Sequence, residues 1–184
     1  EDLPRDALRS IFEVNVFGVH ELSCLVIPVM RAQGHGRIIN CSSVLGLFAM
    51  KWRGAYVATK YALEGLTDVL RIEMADTPIK VILVEPGPIT ANIRKNAIPH
   101  FERWIDWETS ARAEQYATLR DRLYADSGPD LFELPASAVT KKLIHAATSR
   151  RPKPRYYVTT PTYLAGILRR IASTRLLDAV ISRV

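Results

Sequence analysis

The stretch IKVILVEPGPI, residues 79–89, decides the fold of this chain. It opens with an almost continuous apolar run that ends in the turn-forming pair Pro86-Gly87. Such a run predicts a short strand that is covered on both faces, as the strands of parallel sheets are. A second strand of this kind is predicted around Ile38 and Ile39, which lie between a glycine and a polar cluster.

Helical patterns precede and follow the Ile38-Ile39 strand. Residues 4–33 carry apolar side chains at helical spacing, with Pro4 suited to a first turn and Gly34 to a C-terminal stop. The polar face of this helix is thin, so we expect the helix to be largely buried. A second helix is predicted at residues 55–75. The order helix, strand, helix, strand predicts an α/β fold with a doubly wound parallel sheet.

The C-terminal half is less regular in its pattern. After the Pro-Gly loop we predict an amphipathic helical region at residues 99–125, helices at 137–149 and 161–182, and a short strand at 154–160. The last helix is expected to bend near Ser173.

The length of 184 residues suits one domain with a sizeable core. Charge is distributed unevenly along it. The formal net charge is +6; residues 150–184 hold eight Lys and Arg against Asp178 alone, which sums to +7 and leaves −1 for residues 1–149. A near-neutral body argues against a nucleic-acid surface. The basic C-terminal segment leaves open a peripheral contact with a membrane surface or with another acidic partner.

Cysteine usage and hydropathy bear on the compartment. Cys24 and Cys41 lie in apolar segments without metal-binding spacing, so we expect buried free thiols in a reducing, cytoplasmic compartment. No stretch reaches eighteen consecutive apolar residues, so no membrane-spanning helix is predicted. The four histidines are dispersed, and we predict no metal site.

The segment after the first strand carries the candidate chemistry. Tyr56 and Lys60 lie one turn apart on the same helix face. An unperturbed tyrosine has a pKa of about 10, and a nearby ammonium lowers it, which would let the phenol exchange protons near neutral pH. Ser43 lies at the end of the preceding strand, at the sheet edge where open α/β folds bind ligands. We therefore expect the Ser43 and Tyr56 hydroxyls to bind one substrate oxygen.

Four features in this order resemble the short-chain dehydrogenase/reductase family. They are Asn15 in VNVFG, the upstream Ser43, the YVATK segment and the PGPIT loop. A tyrosine and a lysine at this spacing are weak evidence alone, but the four features together are specific. The match is good over residues 1–95 and loose beyond them. The spacing and the Arg-rich tail are similar to the branch that includes 17β-hydroxysteroid and retinol dehydrogenases.

The resemblance implies a catalytic role for each matched residue. Tyr56 would be the general acid/base, and Lys60 would orient the nicotinamide ribose and lower the pKa of Tyr56. Ser43 would hydrogen-bond the substrate oxygen, and Asn15 would hold a water in a proton relay. A hydrolase role for Ser43 is not favoured, because the chain has no GxSxG turn.

The resemblance also implies contacts with NAD or NADP beyond those of the tyrosine and the lysine. Pro86, Gly87 and Ile89 would surround the nicotinamide, with backbone groups of Ile89 meeting the carboxamide. The threonine that the family commonly has four residues after the glycine is Ala91 here. Thr90 is therefore the candidate for that cofactor contact.

The glycine-rich TGxxxGxG turn that cradles the pyrophosphate in this family does not occur in the chain. We interpret residues 1–184 as the C-terminal part of one NAD(P)-binding, Rossmann-like domain, an N-terminally truncated three-layer α/β/α fold. Within it, residues 92–135 are interpreted as a substrate lid and 150–184 as a basic extension. We expect the chain alone to bind cofactor poorly and to aggregate through an unpaired strand edge.

Two functions remain open. The first is an NAD(P)-dependent oxidoreductase that interconverts a secondary alcohol and a ketone or aldehyde, and that forms a homo-oligomer when complete. Its substrate is expected to be apolar, steroid- or retinoid-like, because residues 92–135 are rich in apolar and aromatic side chains. The alternative is a non-catalytic relative or interaction module, which the missing glycine-rich turn favours.

Overall fold

The computed structural model describes residues 1–125 and 131–182, except for the side chain of Arg94. Within these residues, three parallel strands form one sheet in the order β1-β2-β3. The strands are β1 (Gly36–Cys41), β2 (Ile79–Glu85) and β3 (Arg155–Tyr157). The predicted α/β fold with a parallel, Rossmann-like sheet is confirmed.

Helices flank the sheet and account for most of the remaining described chain. They are α1 (Arg5–Phe12), α2 (Gly18–Ala32), α3 (Gly54–Glu73), α4 (Ile93–Trp104), α5 (Ala113–Tyr124), α6 (Ser137–Thr148), α7 (Thr160–Ile171) and α8 (Thr174–Ile181). A π-helical turn, Glu13–Phe17, joins α1 to α2, so that helix is continuous from Arg5 to Ala32. The single helical region predicted at residues 99–125 is instead α4 and α5, separated by a 3-10 turn. The substrate lid assigned to residues 92–135 falls partly on residues 126–130, and Arg183 of the basic extension also lies outside the described residues.

The two faces of the sheet are covered by different helices. Ile82 and Val84 of β2 pack on one face with the fully buried Ala146 of α6. On the opposite face, buried side chains of β1 and β2 pack against α2 and α3, with the members Ile38, Ile79, Val81, Val26, Ile27, Met30, Leu70 and Met74. All of β2 except Lys80 is buried. A parallel strand needs cover on both faces, which explains its continuous apolar run.

The helix from Arg5 to Ala32 is much more exposed than the sequence predicts. Val14, Leu22, Leu25 and Val29 are each more than half exposed. The reason is that β1 is the edge strand of the described sheet, so the helix packs along one side only. By length and composition alone this helix could also cross a membrane, contrary to the expectation of no such segment. A helix that packs on a sheet in a water-soluble fold passes the same test, so this finding is weak evidence for a span.

The two cysteines are free, as predicted, but the prediction that they are buried is wrong. Cys24 lies on an exposed side of α2, with its Sγ 3.6 Å from His20 Nε2. Cys41 ends the edge strand β1. Both positions are apolar in sequence context, but Cys24 lies on an open helix face and Cys41 is only partly covered, where Lys60 of α3 contacts its carbonyl.

Candidate active site

The carboxyl ends of β1 and β2 meet at one edge of the sheet and bring the candidate residues together. Val44 N donates to Pro86 O at 2.7 Å, which ties the turn after β1 to the loop after β2. Ser43 begins the 3-10 turn Val44–Gly46, and its Oγ accepts from Leu45 N at 3.1 Å. This is the edge at which open α/β sheets bind ligands.

Helix α3 presents Tyr56 and Lys60 to the same edge. Lys60 Nζ donates to Cys41 O at 2.9 Å, which docks the helix on the end of β1. The same ammonium lies 5.4 Å from the centroid of the Tyr56 ring. The lysine therefore sits over the face of the phenol, and its carbonyl partner holds it there.

The pKa of Tyr56 is raised from its ordinary value, which is opposite to the sequence-based expectation. Burial is the largest cause, and a hydrogen bond with Ser43 together with the charge of Arg53 offsets part of it. Desolvation dominates because the phenolate would lose water on leaving the solvent. For Lys60, burial lowers the pKa, while the charges of Cys41 and Glu64 counteract that effect.

Asn15 reaches α3 from the π-helical turn between α1 and α2. Its Nδ2 donates to Thr59 Oγ1 at 3.2 Å, and Thr59 Oγ1 donates to Tyr56 O at 2.8 Å. π-helical turns often occur at functional sites, because the extra residue redirects a side chain. Thr59 is fully buried and was not predicted as a site residue, although it lies inside the YVATK segment. The water-holding role of Asn15 stays a prediction.

The loop after β2 approaches α7 so closely that only glycine fits at position 87. A Cβ there would lie 2.0 Å from Thr159 Oγ1 and 2.8 Å from Thr162 Oγ1. Both threonines are fully buried, and their hydroxyls are 3.0 Å apart. The sequence had no signal for this contact, because 72 residues separate Gly87 from Thr159.

Ile89 and Thr90 are anchored by a bridge to Leu134. Leu134 N donates to Pro88 O at 3.2 Å, and Thr90 N donates to Leu134 O at 3.0 Å. Neither bond uses the backbone groups of Ile89, which leaves the arrangement compatible with a carboxamide contact there. The Thr90 hydroxyl donates to Glu133 Oε1 at 2.7 Å, so a contact in which Thr90 donates to the cofactor requires that bond to break. That contact stays a prediction.

A buried ionic cluster next to this site was missed in the sequence. Arg155, which we had assigned to a basic surface extension, pairs with Glu64 and Asp68 of α3 and lies 2.5 Å from Glu85 Oε1 of β2. Burial and the nearby charge of Glu64 raise the pKa of Glu85 to about 8, against the opposing effect of Arg155. A carboxylate inside the apolar run of β2 was the available signal, because such a group needs a buried partner.

The described residues include no group of three or more His, Cys, Asp or Glu side chains that could hold a metal ion. They do fit the nicotinamide end of a dinucleotide, with a glycine where no Cβ has room and a lysine at the same edge. This fold and site define an α/β chain with a Rossmann-like parallel sheet and a serine, a tyrosine and a lysine at its carboxyl edge. The chain belongs to the short chain dehydrogenase family, whose sequence profile matches residues 1–101.

Relatives with curated sequences support the same family. The uncharacterized oxidoreductase YbbO of Escherichia coli K12 is 35% identical over 179 residues, which are 97% of this chain and 60% of that protein. Mouse estradiol 17-beta-dehydrogenase 2 is 29% identical over 201 residues, covering all of this chain and 49% of that enzyme. The chain thus spans about half to three-fifths of the length of these relatives.

Solved structures agree in fold. A short-chain dehydrogenase from Streptomyces avermitilis has a TM-score of 0.71 and 26% identity, over 99% of this chain and 64% of that one. A Burkholderia phymatum short-chain dehydrogenase/reductase in complex with NAD has a TM-score of 0.63 and 25% identity, over 93% and 58%. A Burkholderia cenocepacia short chain dehydrogenase in complex with NADP has a TM-score of 0.70 at 20% identity, over 97% and 62%.

Proposed function

We propose that the protein containing this chain interconverts a secondary alcohol and the corresponding ketone, or a primary alcohol and the corresponding aldehyde, with Tyr56 as the general acid/base. The observation that carries the proposal is the meeting of Ser43, Tyr56 and Lys60 at the carboxyl edge of the parallel sheet, beside the Pro86-Gly87 loop. A nicotinamide cofactor, when bound, supplies the hydride acceptor or donor.

The residues of this chain transfer the proton and bind the substrate and the cofactor. Tyr56 exchanges a proton with the substrate oxygen, and its raised pKa keeps the phenol protonated at neutral pH in the absence of ligands. Ser43 hydrogen-bonds the same oxygen, and Lys60 binds the nicotinamide ribose. Asn15 holds the first turns of α3 through Thr59 and so keeps Tyr56 in place.

Replacing Tyr56 by phenylalanine in the complete protein tests this proposal. The ring still packs but cannot transfer a proton, so turnover should be lost while cofactor affinity stays within a few-fold. Tyr61→Phe is the matched control, because it makes the same change five residues further along α3, on another side of the helix. Wild-type turnover in the Tyr56 variant would remove this residue from the mechanism. If the complete wild-type protein itself shows neither turnover nor cofactor binding, the non-catalytic alternative is favoured.

The substrate is proposed to be apolar, steroid- or retinoid-like. Ile93 is half exposed at the start of α4, and the following lid region offers further apolar side chains, namely Ile98, Phe101, Trp104, Ile105 and Trp107. Such side chains suit a hydrocarbon ligand better than a sugar. The name of the mouse relative, estradiol 17-beta-dehydrogenase 2, supports the same class. A substrate screen in which polyols are preferred would contradict it.

The complete protein is proposed to form a homo-oligomer through the outer face of α2 and α3. This face exposes a set of large apolar side chains, namely Leu22, Leu25, Val29, Leu66, Val69 and Ile72. Apolar patches of this kind mark protein interfaces. Light scattering after size-exclusion chromatography should show an oligomer that Val69→Asp dissociates, whereas a monomeric wild type contradicts the proposal.

A peripheral contact with an anionic membrane is proposed for α7 and α8. Helix α7 turns Leu164, Ile167 and Ile171 outward, while its buried face carries small residues such as Gly166. Arg175 at the start of α8 adds positive charge to this apolar surface, which favours anionic lipid. Flotation with phosphatidylserine vesicles should be lost in Ile171→Asn. Equal flotation of that variant and the wild type would contradict the contact.

A further inference from the structure

Glu64 extends the ladder of site residues on α3 by one turn. Tyr56, Lys60 and Glu64 are spaced by four residues each, so they lie on one face of the helix. The proposed mechanism uses the first two side chains and leaves the third without a role. Glu64 is only 6% exposed, and a carboxylate at such a position requires a partner and an explanation.

Arg155 holds the Glu64 carboxylate in a fixed position. Its Nη1 pairs with Glu64 Oε2 and lies 2.5 Å from Glu85 Oε1, while its Nη2 pairs with Asp68 Oδ2. Gly46 closes the other side, because a Cβ there would lie 2.8 Å from Glu64 Cγ. Glu64 is therefore clamped between the guanidinium and the turn that follows Ser43.

Several groups affect the charge of Lys60. From β1, Cys41 faces the ammonium, but partial burial raises the pKa of its thiol, so the thiol is neutral at neutral pH. Glu85 of β2 also carries a proton at neutral pH, since its pKa is raised to about 8, and the positive Arg155 pairs with Glu64. The charges of Cys41 and Glu64 both oppose the effect of burial on the pKa of Lys60, and Glu64 carries this effect at neutral pH, where the thiol is uncharged.

The Glu64 carboxylate has few hydrogen-bond donors besides Arg155. A side-chain hydrogen bond with the protonated Glu85 carboxyl helps to raise the pKa of Glu85, and Glu64 Oε1 is buried with no other partner among the described residues. A buried charge acts strongly on neighbouring charges, because little solvent screens it. Lys60, one turn away on the same face, is the cation on α3 best placed to interact with the charge of Glu64.

We propose that Glu64 is a positioning residue for the Tyr56–Lys60 pair: its buried carboxylate, clamped by Arg155, keeps the Lys60 ammonium charged and seated on the Cys41 carbonyl. The inference rests on the proposed function for its catalytic meaning, but the charge of Lys60 can be measured without any substrate. Asp68 also pairs with Arg155 but lies one turn further from Lys60, and its side chain is 37% exposed. It therefore serves as a matched control.

Glu64→Gln in the complete protein tests the inference by kinetics. The amide keeps the shape and removes the charge, so Lys60 should lose its proton at lower pH. The alkaline limb of the pH–rate profile should then move down by about one pH unit, the lower end of what a nearby opposite charge contributes. The KM for the cofactor should rise over the pH range in which Lys60 loses its proton, because the charged Lys60 binds the ribose. Asp68→Asn should leave the midpoint of the alkaline limb in place, even if it lowers thermal stability.

A direct titration of Lys60 separates this inference from the enzymatic proposal. NMR of isotopically labelled lysine, with Lys60→Met to assign the signal, reports the protonation of Nζ whether or not the protein turns over a substrate. A lower midpoint in Glu64→Gln and an unchanged one in Asp68→Asn support the role. An unchanged Lys60 midpoint in Glu64→Gln overturns it and leaves Glu64 as a structural partner of Arg155. If Glu64→Gln does not fold, Glu64→Asp keeps the charge at a longer distance and should give an intermediate midpoint, whereas a wild-type midpoint overturns the role.

Discussion

Glu85→Gln should stabilise the protein at pH 8 and have little effect at pH 5. Glu85 is fully buried at the end of β2, where its Oε1 lies 2.5 Å from an Arg155 nitrogen and its Oε2 has no partner among the described residues. A glutamine keeps the oxygen that faces Arg155 and replaces the second oxygen by an amide that cannot ionise. At pH 5 the wild-type carboxyl is itself uncharged, so the two side chains are then close equivalents.

The sign and size follow from the difference between the folded and unfolded states. The pKa of Glu85 is raised from 4.5 to about 8 on folding. Between these values the folded chain holds a proton that the unfolded chain has lost, so wild-type stability falls as pH rises. At ~1.4 kcal/mol per pKa unit, the full difference sets a ceiling of about 5 kcal/mol on this loss. The variant lacks this loss, so its advantage over the wild type grows between pH 5 and pH 8.

Urea unfolding of both proteins at half-unit steps from pH 5 to pH 9 measures the effect. In thermal melts, each kcal/mol corresponds to roughly 2–4 °C for a chain of this size. Glu73→Gln, at an exposed position at the end of α3, controls for the loss of one carboxylate. If the difference between Glu85→Gln and wild type is the same at every pH, Glu85 is ionised throughout and the reasoning about the cluster is wrong.

Three further changes test other contacts of the site. Lys60→Met should raise the KM for the cofactor and lower kcat, because one ammonium serves both steps; steady-state kinetics measures this. Gly87→Ala should destabilise the fold by about 1–3 kcal/mol in urea unfolding, since its Cβ would meet Thr159 Oγ1 at 2.0 Å, and Thr159→Ala should restore part of the loss. Asn15→Ala should cost about 1 kcal/mol by removing the donor to Thr59 Oγ1, and a wild-type melting curve would contradict this.

Local pattern was enough to predict the sheet and most of the helix boundaries. The strand at β2, the helix that carries Tyr56 and Lys60, and the break between α7 and α8 all follow from apolar spacing and turn residues within short segments. The association of Ser43 with Tyr56 also followed from the sequence, because parallel strands place their carboxyl ends at one edge.

Burial and charge were predicted less well. The apolar pattern of the helix from Arg5 to Ala32 predicts a buried core helix. Its exposure depends on which elements lie beside β1, and this cannot be predicted from a local sequence pattern. The pKa of Tyr56 was expected to fall beside Lys60, but its environment is set by desolvation and by the carbonyl that holds the ammonium over the ring face.

The sequence by itself determined the fold class, the family and the residues that meet at the carboxyl edge of the sheet, since each of these depends on spacing along a single helix, strand or loop. Only the tertiary structure decided that Glu64, Glu85 and Arg155 form one buried cluster beside that edge. Their separations of 21 and 70 residues place them on three different elements. Whether such groups meet, and which of them carries a proton, depends on the dielectric and the charges that packing creates around them.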